Sequence, residues 1–120
     1  MRCIIVDDDL FSTKIVSDFI NRTSSLTLVK TFDSAIDAVD YLNQTTGFIQ
    51  VIFLDIEMPE MNGLEFIKSI DRSLTQIIIY SSQEKYALMS YEYDVCDYLL
   101  KPVNYARFLK AINKAKSELD

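Results

Sequence analysis

Three short apolar runs in this chain each end in charged residues, and that pattern restricts the fold more than any other feature. Cys3, Ile4, Ile5 and Val6 lead into Asp7, Asp8 and Asp9; Val51, Ile52, Phe53 and Leu54 lead into Asp55; Tyr98, Leu99 and Leu100 lead into Lys101 and Pro102. The middle run sits in VIFLDIEMPEMNG, where Met58-Pro59 and Asn62-Gly63 are turn signals. An apolar run of this length bounded by turns reads as a strand buried on both faces. Parallel strands of an α/β sheet place their carboxyl ends along one edge, so these charges are expected to meet in the crevice there.

Helical patterns fill the intervals. Phe11, Ile15 and Phe19, with Val16 and Ile20, repeat at the spacing of one helix face, entered through the acidic cluster. Residues 26–32 contain Lys30 and suit an edge strand. Asp33-Ser34 offers an N-cap for a helix carrying Ala35, Ile36, Val39 and Leu42, and a third strand is expected over 49–54. Leu64, Ile67 and Ile70 predict a third helix, 76–80 a fourth strand, 84–92 a short fourth helix and 98–100 the fifth strand. Phe108, Ile112, Ala115 and Leu119 mark a last helix from about Asn104. Five strands alternating with five helices predict a doubly wound (βα)5 fold, an open parallel sheet with helices on both faces.

With 120 residues, 49% of them apolar, the chain is expected to be one domain, with any effector domain lying beyond Asp120. A net charge of -6 argues against a nucleic-acid surface in these residues and favours a cationic partner or a metal ion. Four apolar residues behind one Arg are too few for a signal peptide or a membrane span, which reads as a cytoplasmic domain. Cys3 and Cys96 are read as reduced and buried. The sequence has no His, which removes Ser-His-Asp and Cys-His schemes and His-ligated zinc, and leaves carboxylates and hydroxyls for chemistry.

If the strand order is 2-1-3-4-5, strands one and three are neighbours and Asp7 and Asp8 lie beside Asp55. Carboxylates so crowded resist full ionisation unless a cation sits among them, and Mg2+ suits one or two carboxylates with waters and phosphate oxygens. Lys101 and Ser81, at the ends of strands five and four, add an ammonium and a hydroxyl. That set suits a phosphoryl group, with Asp55 as the nucleophile that attacks phosphorus in line.

Asp7-Asp8, LDIEMPEMNG around Asp55, Ser81, and DYLLKP ending in Lys101-Pro102 resemble the receiver domain of bacterial two-component response regulators over the whole chain. The resemblance carries the flavodoxin-like strand order 2-1-3-4-5. YALMSYEYDVCDYLLKP further resembles receivers joined to a LytTR-type DNA-binding domain, hence an output in transcription regulation.

The resemblance implies that Asp55 accepts a phosphoryl group from a phosphohistidine of a partner sensor histidine kinase or phosphotransfer protein. It implies Mg2+ on Asp8, Asp55 and the backbone carbonyl of Glu57, with Asp7 acting through water. Lys101 would pair with the phosphoryl group, and its bond to Pro102 would be cis. Ser81 and Tyr98 would form the switch, altering the face of the fourth helix, fifth strand and fifth helix. There Tyr86, Tyr91, Tyr93 and Asp94 would serve a homodimer or effector contact. Glu57 and Gln83 occupy positions that tune phosphoryl lifetime in the family. Ser82 stands where a small apolar residue is more usual, which leaves two adjacent hydroxyls for the switch role.

Each signal has a plainer reading when taken alone: Asp7-Asp8-Asp9 as a favourable helix start, Lys101-Pro102 as a turn, Ser81 as a hydroxyl bonded to backbone, Tyr98 as core. Their joint placement at the ends of four strands is what those readings leave unexplained. Of the other functions, a magnesium-dependent phosphatase with an aspartyl-phosphate intermediate would want Asp where Glu57 stands. A nucleotide or flavin binder would need a glycine-rich loop, and the only glycines are Gly47 and Gly63. The expected role is therefore a switch that catalyses only its own phosphotransfer and slow self-dephosphorylation, bound to no nucleic acid or membrane itself.

Overall fold

In the computed structural model, which describes residues 1–44, 47–59 and 61–119, five parallel strands form one sheet in the order β2-β1-β3-β4-β5. The strands are β1 (Arg2–Val6), β2 (Thr27–Phe32), β3 (Val51–Asp55), β4 (Gln76–Ser81) and β5 (Asp97–Leu100). Between and after them run α1 (Leu10–Asn21), α2 (Ala35–Gln44), α3 (Gly63–Lys68), α4 (Met89–Glu92) and α5 (Tyr105–Leu119). This is the doubly wound, flavodoxin-like (βα)5 fold expected from the sequence, and 26–32 supplies its edge strand.

The strand period of two sorts the core into two layers. Cys3, Ile5, Val51, Phe53, Ile78, Tyr80 and Leu99 pack on the face covered by α1 and α5, through Val16, Ile20, Phe108, Ala111 and Ile112. Ile4, Val6, Ile52, Leu54, Ile77 and Ile79 pack on the opposite face, against Ala35 and Ala38 of α2 and Phe66 and Ile67 of α3. All five residues of β3 are buried, as a central strand sandwiched between helix layers requires.

Cys3 and Cys96 are both free and buried. Burial pushes their thiols up to about 12 and about 11, so neither supplies a thiolate at neutral pH.

Two helices are shorter than the periodicity suggests. α3 stops at Lys68 before reaching Ile70, because the Ser69 hydroxyl donates to the Glu65 carbonyl (2.7 Å) and its N–H turns back to Phe66. The helix expected over 84–92 is a 3-10 turn at Glu84–Tyr86 followed by the single turn of α4. Tyr86 and Tyr91 in that stretch are mediocre helix formers, and i→i+3 bonds such as Ala87 N–H to Glu84 O (2.9 Å) take over. Of the residues expected to form a contact face, Tyr91 and Asp94 are exposed, whereas Tyr86 and Tyr93 are half-buried against the second core layer.

Candidate functional site

Strand register builds the site. Val6 pairs with Leu54, so Asp7 emerges next to Asp55; Asp55 pairs with Tyr80, and Ser81 with Leu100, just before Lys101. Extending the alternation by one residue places Asp7, Asp55, Tyr80 and Lys101 on the α1/α5 side of the rim. Ser81 and Tyr98 fall on the other side. The Lys101 ammonium then lies 3.5 Å from Asp55 Oδ2 and 3.6 Å from Asp7 Oδ2. Asp7, Asp8 and Asp55 each offer a carboxylate oxygen, all within 4.8 Å of one another. Asp7 and Asp55 are buried and Asp8 is exposed.

The third residue of the acidic run does something else. Asp9 is the N-cap of α1: its carboxylate accepts from Phe11 N–H (3.0 Å) and from the Ser12 hydroxyl (2.8 Å). Those bonds, Ser12 first, hold its carboxyl below the ordinary range.

Asp55 is pushed the opposite way, up to about 7. Burial is the main cause, the Lys101 ammonium opposes it, and the neighbouring Asp7 adds to it. Among the described residues Lys101 is the one cation paired with these carboxylates, so three acidic groups face a single positive charge. An all-oxygen cluster short of positive charge suits a hard divalent cation.

The sequence did not single out Tyr80. Its hydroxyl donates to Asp7 Oδ2 at 2.5 Å, and the Lys101 ammonium sits 4.8 Å from the centre of its ring. Burial, then the negative charge of Asp7, hold the phenol well above its usual range, so it remains a proton donor. The available signal was its place at the end of strand four, on the same side of the sheet as Asp55.

The remaining residues lie around this centre. Ser81 is buried and its hydroxyl oxygen accepts from Gln83 N–H (3.1 Å), whereas Ser82 is exposed. The half-buried Tyr98 donates its hydroxyl to the Gln83 carbonyl. The Lys101–Pro102 bond is cis. Glu57 is exposed and its N–H donates to Asp55 Oδ1 (3.2 Å).

The loop after Asp55 is fixed by Asn62, which forms a capping box with Glu65, and by Gly63 N–H bonded to Ile56 O at 2.9 Å. A Cβ at Gly63 would stand 2.7 Å from Ile56 Cα and 2.8 Å from Ile56 Cγ1. Gly63→Ala should therefore displace this loop at a cost of about 1–3 kcal/mol, read as a lower denaturation midpoint. An unchanged midpoint would show that the loop yields freely.

A family model for the response regulator receiver domain matches residues 3–113. Over 120 residues, 99% of its length, the chain is 29% identical to an uncharacterized response regulatory protein of Shewanella oneidensis, covering 50% of that protein. It is 28% identical over 119 residues to the transcriptional regulatory protein BtsR of Escherichia coli, covering 98% of this chain and 49% of BtsR. The chain thus spans about half the length of these relatives. The response regulatory domain of protein mrkE from Klebsiella pneumoniae superposes with a TM-score of 0.89 at 26% identity, covering 99% of this chain and 98% of that one. A match across nearly every residue, on a sheet whose rim gathers Asp7, Asp8, Asp55 and Lys101, makes this chain a response regulator receiver domain, a module of two-component signalling.

Proposed function

We propose that this domain is a phosphorelay switch in which Asp55 accepts a phosphoryl group from a phosphohistidine of a sensor kinase or phosphotransfer protein. The observation that carries this reading is the Lys101 ammonium held within 3.6 Å of both Asp55 and Asp7 at a rim of three clustered carboxylates. An Asp55 oxygen attacks phosphorus as the P–N bond to the imidazole breaks, and the electron pair leaves with the nitrogen. Lys101 is placed to follow the charge onto the new phosphoryl oxygens. Mg2+ is the cofactor that fits, on Asp8, Asp55 and the Glu57 carbonyl with Asp7 reached through water; when bound it would neutralise phosphoryl charge.

The kinase's approach is supported by an apolar groove beside Lys101, lined by Phe11, Ile15, Val16 and Val103, with Phe11 exposed at its mouth. In the switch, the Ser81 hydroxyl would leave Gln83 N–H for a phosphoryl oxygen. Tyr98 would release the Gln83 carbonyl and turn inward. The face of α4, β5 and α5 would change shape, and Leu88, Tyr91 and Leu100, exposed there, supply apolar area for a homodimer or effector contact. Glu57, whose N–H donates to Asp55, and Gln83, bonded to Ser81 and Tyr98, would set how long the phosphoryl group lasts.

The domain turns over no second substrate in this scheme; it catalyses only its own phosphotransfer and slow self-dephosphorylation. Transcriptional output through a LytTR-type DNA-binding domain is supported by YALMSYEYDVCDYLLKP and by a relative of twice the length named as a transcriptional regulator. No described helix is long and apolar enough to cross a membrane, and the cytoplasm is the proposed compartment.

Incubation with Mg2+ and acetyl phosphate should add the mass of one phosphoryl group to the native domain and none to Asp55→Asn. Equal labelling of both, or steady release of phosphate over many turnovers, would reject the switch in favour of another acceptor or a phosphatase.

A further inference from the structure

Tyr80 is fully buried in the sheet, and its position is set by the ladder that pairs it with Asp55. Its hydroxyl reaches Asp7 Oδ2 at 2.5 Å, while Asp7 Oδ1 already accepts from Asp9 N–H at 2.9 Å and Lys101 lies 3.6 Å from Oδ2. A carboxylate has about four lone-pair sites over its two oxygens. Asp7 therefore stands within reach of the same point as Asp8 and Asp55, yet both its oxygens are engaged from the protein side. Asp8, exposed and outside these bonds, is the freer ligand.

The count of free carboxylates matters because divalent cations differ in what they demand. Mg2+ dehydrates reluctantly and is commonly held by one or two carboxylates with several waters, whereas Ca2+ takes six to eight oxygen ligands and gains from each added carboxylate. We propose that Tyr80 is a specificity-determining positioning residue: by donating its phenolic hydrogen to Asp7 and bracing Lys101 on its ring, it withholds Asp7 from direct ligation and biases the site towards Mg2+ over Ca2+. This rests on the metal-assisted phospho-switch reading above and adds to it a reason for Mg2+ that lies in a buried hydroxyl behind the ligands.

The test uses the metal ions alone as probes, with calorimetric titration of Mg2+ and of Ca2+ into the native domain, Tyr80→Phe, Asp7→Asn and the double variant. Tyr80→Phe keeps the buried ring and removes only the hydroxyl. It should shift the ratio of Ca2+ to Mg2+ affinity towards Ca2+ by about tenfold, the scale of one hydrogen bond to a charged group. In the Asp7→Asn background the same substitution should leave the ratio unchanged, which a general loosening of the sheet would not do. Equal changes in both affinities, no change, or the same shift without the Asp7 carboxylate would overturn the assignment while leaving the phospho-switch reading intact. A native domain that binds neither ion would overturn both.

Discussion

Asp55→Asn should stabilise the metal-free domain at pH 8, by about 2–4 kcal/mol, although it removes the residue on which the site is centred. Asp55 has its folded-state value raised to about 7 from an ordinary carboxyl value of 3.8. Between those limits the folded protein holds a proton that the unfolded chain has released, so stability falls as pH rises from about 4 to about 7 and levels off above. Below pH 4 both states are protonated and the group contributes nothing. An amide cannot ionise and escapes that loss, at roughly 1.4 kcal/mol per pH unit for a fully realised shift. The lower end of the range allows for the Lys101 contact that Asn gives up. Urea denaturation at pH 5 and pH 8 should show the native domain losing stability between the two and Asp55→Asn changing little. Adding Mg2+ at pH 8 should close the gap by stabilising only the native domain, through binding to the folded state. A variant less stable than the native domain at pH 8 would show that Asp55 is held by more favourable contacts than its burial implies.

The same crowding that destabilises Asp55 is what made the site legible. Apolar strands that stop at charge announce themselves in a one-dimensional string, because burial acts on successive residues of β1 and β3 up to Asp7 and Asp55. The strand order that turns three separate ends into one rim was carried by resemblance, since periodicity does not say which strands are neighbours. Tyr80 escaped notice because tyrosine is favoured in strands anyway; only the register with Asp55 and the distance to Asp7 reveal a polar role for its hydroxyl. The breakdown of the fourth helix into two short turns is a local competition between weak propensity and the packing of Tyr86 and Tyr93, which spacing alone does not resolve. Asp9 shows the limit from the other side. It is indistinguishable in sequence from its two neighbours, yet it caps α1 while they stand in the cluster.

Phe108→Ala should be among the most destabilising single changes in the chain, at about 3–5 kcal/mol, because it opens a cavity where three elements meet. Phe108 is fully buried on α5, stacked on Phe53 of β3 with ring centres 5.4 Å apart and planes at 16°, and tilted against Phe19 of α1 at the same distance. Against a total stability of about 5–15 kcal/mol for a domain of this kind, a loss of that size lowers Tm by about 10–20 °C. Phe48, an aromatic of the same size left half in solvent, provides the contrast: Phe48→Ala should change stability by no more than about 0.5 kcal/mol. The site should feel the first change as well, since Phe53 lies two residues before Asp55 on the same face of β3 and loses its stacking partner. Slower phosphoryl uptake in Phe108→Ala at a temperature where it is still folded, with Phe48→Ala unaffected, would tie the placement of Asp55 to the packing beneath it. Equal uptake in both variants would show that the rim is positioned by the strand ladder alone.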